Sequence, residues 1–226
     1  MMNTTRILVI NPNSSELVTA AIDRELAHFR ALSPVAIDVC GTPGAPAGVS
    51  YQRDADDIAP MVRRIIAEND ADAYVIACFS DPGLDGVRET FPGKIILGCG
   101  ENAILQALTE ADQFGIISLS ILSTYRQRRK IRMMGVAGRY VGSQGISSNA
   151  VEATSPELLN RMVEAGQELV ARGADIVVTG CASMSHFRQP LEERLGVRVI
   201  DPVGSAVCAA IGRIILRQGQ RREPAC

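Results

Sequence analysis

The chain has no tryptophan, only five phenylalanines and four tyrosines, and two histidines among 226 residues. So few aromatics leave no stacking platform for single-stranded nucleic acid. A formal net charge of -2 gives no electrostatic reason to expect nucleic acid or an anionic membrane. No apolar run approaches the roughly 18 residues that span a bilayer. The start, Met-Met-Asn-Thr-Thr-Arg, lacks the basic, apolar and cleavage regions of a signal peptide. A soluble cytoplasmic protein is expected, with no membrane partner. Neither Gly-x-Gly-x-x-Gly nor Gly-x-x-x-x-Gly-Lys-[Ser/Thr] occurs, so no nucleotide cofactor is expected. The six cysteines, at positions 40, 78, 99, 181, 208 and 226, form no Cys-x-x-Cys pair. That spacing suits neither a zinc site nor a secreted disulfide scaffold. Reduced thiols are expected, and no metal.

What is present is a strand–helix alternation running almost the whole length, with 46% hydrophobic and 21% charged residues. It predicts strands over 6–10, 35–39, 73–77 and 94–97, and again over 114–118, 139–142, 175–179 and 197–200. Helical patterns fall over 16–30, 54–68 and 101–109, then over 122–134, 156–172, 187–194 and 203–217. Such alternation implies an α/β fold of parallel sheets with right-handed crossovers. The second set of strands repeats the first: Val75 maps near Val177, Ile95 near Arg198, and Cys78 near Cys181. Two pseudo-symmetric flavodoxin- or Rossmann-like lobes are predicted, with a cleft between them. The first takes residues 1–100 plus a returning helix over 206–226; the second takes 101–205.

The repeat places two cysteines alike. Ala73-Tyr-Val-Ile-Ala-Cys78 and Ile176-Val-Val-Thr-Gly-Cys181 are apolar on both faces, as buried parallel strands are. Each cysteine thus ends a strand, where open α/β sheets bind ligands. Both precede small, polar turns. Pro82 is expected to open a helix, so that Phe79, Ser80 and Asp81 present N–H groups to Cys78. Ala182 and Ser183 would do the same for Cys181, with Gly180 permitting close approach. These donors are expected to lower the thiol pKa. Asn11, after the first strand, could bond a substrate carbonyl or N–H, with Asn13 or Ser14 capping the next helix. The Gly/Pro-rich stretch 41–51 lies on the cleft side of Cys78. Cys99 is the competing thiol but has no counterpart in the repeat; Cys40, Cys208 and Cys226 read as filler. His186 reads as a surface or helix-start residue, His28 has no assigned role, and the run Arg126–Arg132 reads as a solvated helix face, with an anionic-ligand site as the lesser alternative.

Five segments together carry a resemblance over nearly the full chain. They are Ile10-Asn-Pro-Asn-Ser14, Ala77-Cys-Phe-Ser-Asp-Pro-Gly-Leu84, Phe114-Gly-Ile-Ile-Ser118, Gly180-Cys-Ala-Ser-Met184 and Val199-Ile-Asp-Pro-Val203. The chain resembles the aspartate/glutamate/hydantoin racemase superfamily, most closely its hydantoin and allantoin racemases. The resemblance implies that Cys78 and Cys181 are the two catalytic acid–bases, with no cofactor, and that the protein forms a homo-oligomer. A small-molecule substrate is expected, met by Asn11, Phe79, Ser80, Ser118, Ala182 and Ser183. The chain departs from the family pattern at Ser118-Leu119, where Thr-Thr is usual, at Ser183, where glycine is usual, and over 45–51, where Ser-Ile-Glu is often seen. The alternatives are a maleate isomerase-like or amino-acid racemase-like enzyme of the same superfamily, and a non-catalytic small-molecule sensor.

Overall fold

The computed structural model describes residues 5–220. Cys226 and the end of the expected returning helix lie outside the described residues. Strand β1 (Arg6–Ile10) leads through α1 (Glu16–Glu25) and α2 (Ala27–Leu32) to β2 (Ala36–Cys40). Helix α3 (Gln52–Glu68), β3 (Ala73–Ile76), α4 (Leu84–Thr90) and β4 (Ile95–Gly98) complete the first sheet. Then come α5 (Cys99–Glu110), β5 (Phe114–Ser118), α6 (Ile121–Met133) and β6 (Tyr140–Gly145). Helix α7 (Leu159–Ala171), β7 (Ile176–Thr179), α8 (Arg188–Leu195), β8 (Arg198–Ile200) and α9 (Pro202–Gln220) end the described chain. Short 3-10 segments stand at Ala137–Arg139, Glu152–Thr154, Pro156–Leu158 and Ala182–Phe187.

Among the described residues eight strands form two parallel sheets of the same order, β2-β1-β3-β4 and β6-β5-β7-β8. Every residue of β3, β4, β5 and β7 is buried, because helices cover both faces; this is why these strands read as continuous apolar runs. In each sheet the chain steps from its first strand to one side, then returns to the other. The gap between β1 and β3, and its counterpart between β5 and β7, is therefore a topological switch point, where the strand ends leave a crevice. Asn11 and Cys78 follow the first pair of strand ends; Leu119 and Cys181 follow the second.

The two halves interlock at this edge. Helix α1 packs against the 3-10 segment that follows Cys181. Helix α6, which follows β5 as α1 follows β1, sends Lys130 to Asp81 in the turn after Cys78. Helix α9 buries Val203, Ala206, Val207, Ala210 and Ile214 in the core built on β1, β3 and β4.

The structure moves some expected boundaries. The single helix expected over 16–30 breaks at Leu26 into α1 and α2. Helix α1 is capped by Ser15, whose hydroxyl accepts from Val18 N–H at 3.3 Å, not by Asn13 or Ser14. Pro82 does not open a helix: Gly83 stands in the left-handed region (φ 74°) and α4 begins at Leu84. The N-terminus of that seven-residue helix is thus two residues further from Cys78 than expected. Among the described residues no helix is long and apolar enough to cross a membrane.

Candidate active site

Both switch points open into one cavity of about 490 Å³, and Cys78 and Cys181 both line it. The two thiols are half-buried; the surface they retain faces this cavity. Phe79, Ser80 and Ala182 lie on the wall with them.

Three residues expected at the substrate stand one layer back. Asn11 is 0% exposed and donates to Asn13 Oδ1 at 3.0 Å and to Thr19 Oγ1 at 2.9 Å. Asn13 is the residue on the wall. Its Oδ1 accepts from Asn11 and from Ser15 N–H at 2.9 Å, which leaves its Nδ2 as a donor. Ser118 is buried and donates to Gln127 Oε1, which also accepts from Ser143 Oγ at 2.6 Å. Gln127 lines the cavity with its Nε2 left as a donor. That nitrogen crosses close to Gly180, where a Cβ would come within 2.6 Å of it. Ser183 is buried behind Cys181, its hydroxyl 3.1 Å from the sulfur.

The electrostatics reverse one expectation. Donors do face the sulfurs: Ser80 N–H at Cys78, and the Ala182 and Ser183 N–H groups with the Ser183 hydroxyl at Cys181. Burial outweighs them. It pushes the Cys78 thiol up to about 12, and the nearby Cys181 and Asp81 push the same way against Ser80 and Arg126. Burial also raises Cys181 above the ordinary thiol value, against its three donors. The low-dielectric cleft disfavours a thiolate more than one or a few N–H groups favour it. The asymmetry is informative: Cys181 has three donors and Cys78 one, so Cys181 is the easier of the two to ionise.

The turn after Cys78 is braced from two directions. Asp81 holds a positive φ of 48°. Its carboxylate accepts from Gly100 N–H at 2.9 Å and Glu101 N–H at 2.8 Å, and pairs with Lys130. Gly100 passes so close beneath the turn that a Cβ would lie 2.1 Å from the Phe79 carbonyl oxygen. This explains the Gly-Cys-Gly sequence around Cys99. That thiol is fully buried in the core of the first sheet and is not on the cavity wall.

Helix α6 supplies the wall that the sequence conceals. Ser123, Arg126, Gln127 and Lys130, at positions i, i+3, i+4 and i+7, share one face toward the cavity. The run Arg126–Arg132 is therefore not simply a solvated face. Arg126 Nη1 donates to the Ser50 carbonyl at 2.5 Å and Nη2 to that of Val49 at 3.2 Å, so the 41–51 stretch closes the cavity under a guanidinium from the other half. His186 is absent from this wall; it borders a separate groove with Asp201 and Glu25, and burial lowers its pKa.

Ser183 offers a direct test of the donor argument. Ser183→Ala removes one donor from Cys181 and should raise that thiol further. The acid limb of the kcat/KM profile is expected to move to higher pH, with activity near pH 8 about tenfold lower and the alkaline plateau retained. Loss at all pH values alike would assign Ser183 to folding instead.

Comparison with known proteins agrees with this fold. The sequence profile of the Asp/Glu/Hydantoin racemase family matches residues 7–210. A hydantoin racemase from Paenarthrobacter aurescens is 33% identical over 218 residues, covering 93% of this chain and 92% of its own. The solved allantoin racemase from Klebsiella pneumoniae superposes with a TM-score of 0.84 at 25% identity, over 94% of this chain and 89% of its own. The maleate isomerase from Pseudomonas putida S16, at 13% identity and a TM-score of 0.73 over 94% and 93% of the two chains, shares the fold. The chain belongs to the Asp/Glu/hydantoin racemase family and is a racemase.

Proposed function

We propose that this chain racemises the C5 stereocentre of a hydantoin-type ring by proton transfer between two thiols, without a cofactor. The observation that carries the reading is that Cys78 and Cys181 end equivalent strands, β3 and β7, and line one cavity. A racemase must take a proton from one face of a carbon and return one to the other, so two single-proton groups are required. The similarity to hydantoin and allantoin racemases supports the choice of ring.

In one direction the Cys181 thiolate takes the C5 proton: an S–H bond forms and the C–H bond breaks. The electron pair moves into the C4 carbonyl, giving an enolate. The Cys78 thiol then protonates the opposite face and becomes the thiolate. The enantiomer runs the same steps in reverse. The three donors on Cys181 make it the thiolate of the resting pair. Because the turn N–H groups serve the sulfurs, the enolate oxygen falls to other donors. Asn13 and Gln127 are on the wall with their amide oxygens already engaged, which leaves Nδ2 and Nε2 as the free donors. Preorganised donors of this kind act where charge develops.

The test is circular dichroism against enantiopure 5-methyl- and 5-benzylhydantoin and allantoin, with deuterium incorporation at C5 followed by mass spectrometry. Loss of optical activity with one deuterium gained is expected for at least one of them. An unchanged signal with every ring would sink the reading, and ligand-induced stabilisation without turnover would make the protein a sensor. The raised thiols also set a pH dependence. Cys181 titrates above the ordinary value of 9.0 and the active pair needs one thiolate. After subtraction of the uncatalysed rate, kcat/KM should climb about tenfold per pH unit between pH 7 and 9. A flat profile there would mean that some other group is the base.

A further inference from the structure

We infer that Arg126 makes the cavity selective for rings whose C5 substituent ends in a carboxylate. The inference rests on the hydantoin-ring reading above and concerns the part of the substrate that reading leaves open.

Three cations of α6 line the cavity, Arg126, Arg129 and Lys130, and they differ in freedom: Arg129 is exposed to solvent. Lys130 is committed to the buried Asp81. Arg126 has no carboxylate within ion-pair distance among the described residues. Its Nη1 and Nη2 bond only to neutral partners, the carbonyls of Ser50 and Val49 and, at 3.3 Å, the Ser123 hydroxyl. Its Nε–H is buried and has no partner among the described residues. A guanidinium half-withdrawn from water with one orphaned donor is an unfavourable arrangement unless something else completes it. The side chain lines the same cavity as the two thiols, and a modest rotation of the guanidinium would turn this closed-off edge toward a bound molecule. Carboxylate is the group whose geometry and charge match a guanidinium edge. The burial that lowers the Arg126 pKa acts in the same sense, since an anion would relieve it.

Volume and position agree. At about 490 Å³ the cavity falls within the range of sites that hold a drug-sized molecule, so a ring at the thiols leaves room for a substituent. Arg126 belongs to the second half and holds carbonyls of the first half's 41–51 stretch. An anion at Nε would thus meet the residue that fastens the stretch over the cavity.

The experiment compares kcat/KM for hydantoins bearing 2-carboxyethyl, 2-carbamoylethyl and isobutyl groups at C5. The wild type should prefer carboxyethyl over both neutral substituents. Arg126→Met should cut the carboxyethyl-to-isobutyl ratio about 10- to 100-fold, and Arg126→Lys should keep part of it, since the charge remains. The ratio separates recognition from structure: loosening the 41–51 stretch slows all three substrates together and leaves the ratio fixed. A fixed ratio in Arg126→Met, or a wild type that favours isobutyl, overturns the inference while leaving the racemase reading in place. No C5 exchange in the wild type with any of the three overturns the hydantoin reading and the inference with it.

Discussion

Cys78→Ser and Cys181→Ser are each expected to cut racemisation steeply while preserving hydrogen exchange for opposite enantiomers. One enantiomer presents its C5 proton to Cys181 and the other to Cys78. In Cys78→Ser, Cys181 still removes the proton that faces it. Its sulfur exchanges with solvent and returns a deuteron to the same face, so that enantiomer gains deuterium without inverting. The other enantiomer meets a hydroxyl, a far weaker acid than a thiol, and should neither exchange nor invert. Cys181→Ser gives the reverse pattern. Racemisation in each variant should fall by roughly 10²- to 10⁴-fold, the usual worth of one positioned acid–base group. Serine is close to cysteine in size and the thiols project into the cavity, so the fold should survive. A single variant that still exchanges both enantiomers at the wild-type rate would show that one base suffices. Exchange unchanged by either substitution would remove the cysteines from the mechanism.

That experiment addresses the part of the site most legible in the sequence. Parallel strands buried on both faces need continuous apolar runs, so β3 and β7 and the cysteines ending them are visible without coordinates. The order of strands then fixes both as neighbours of a switch point. What sits opposite is another matter. Helix α6 is polar on most positions, so periodicity gives it no core face. Only packing against the Cys78 turn selects Arg126, Gln127 and Lys130 for the cavity; the visible signal is the run Arg126–Arg132 itself, which a solvated helix face explains equally well. Asn11 and Asn13 illustrate a finer limit. Both are amides at a strand end, and a residue's distance along the chain does not say which one turns inward. Asn11 braces the turn and Asn13 reaches the wall. The thiol pKa values fail for a third reason. Local sequence displays the donors at a sulfur, but desolvation depends on everything the fold stacks above it.

The Asp81–Lys130 pair is the least exposed ion pair among the described residues and should carry the largest stability effect of them. Lys130→Met strands a carboxylate whose side chain is 2% exposed, its partner being 19% exposed. Removing one member of a buried pair costs about 3–5 kcal/mol, although the Gly100 and Glu101 N–H groups continue to hold the anion. The sign of the pH dependence follows from the direction of the Asp81 shift. Burial already raises this carboxyl above its ordinary 3.8, with Lys130 pulling it back. A carboxyl raised on folding gives its full stabilising contribution only below the unfolded value, and loses it as pH rises through the folded one. Without Lys130 the Asp81 pKa rises further. The deficit of Lys130→Met should therefore be largest near neutrality and shrink on acidification, as Asp81 takes up a proton and the stranded charge disappears. Urea unfolding at about pH 8 and pH 5 reads both values. Adding Asp81→Asn to Lys130→Met should recover part of the loss near pH 8, because an amide tolerates the positive φ and leaves no buried charge. A deficit under 1 kcal/mol at both pH values, or one that grows on acidification, would mean that the pair contributes no net attraction. Because Asp81 belongs to the turn that aims Cys78, the same substitution should lower kcat at saturating substrate even where the protein remains folded, tying the ion pair between α6 and that turn to the placement of one thiol.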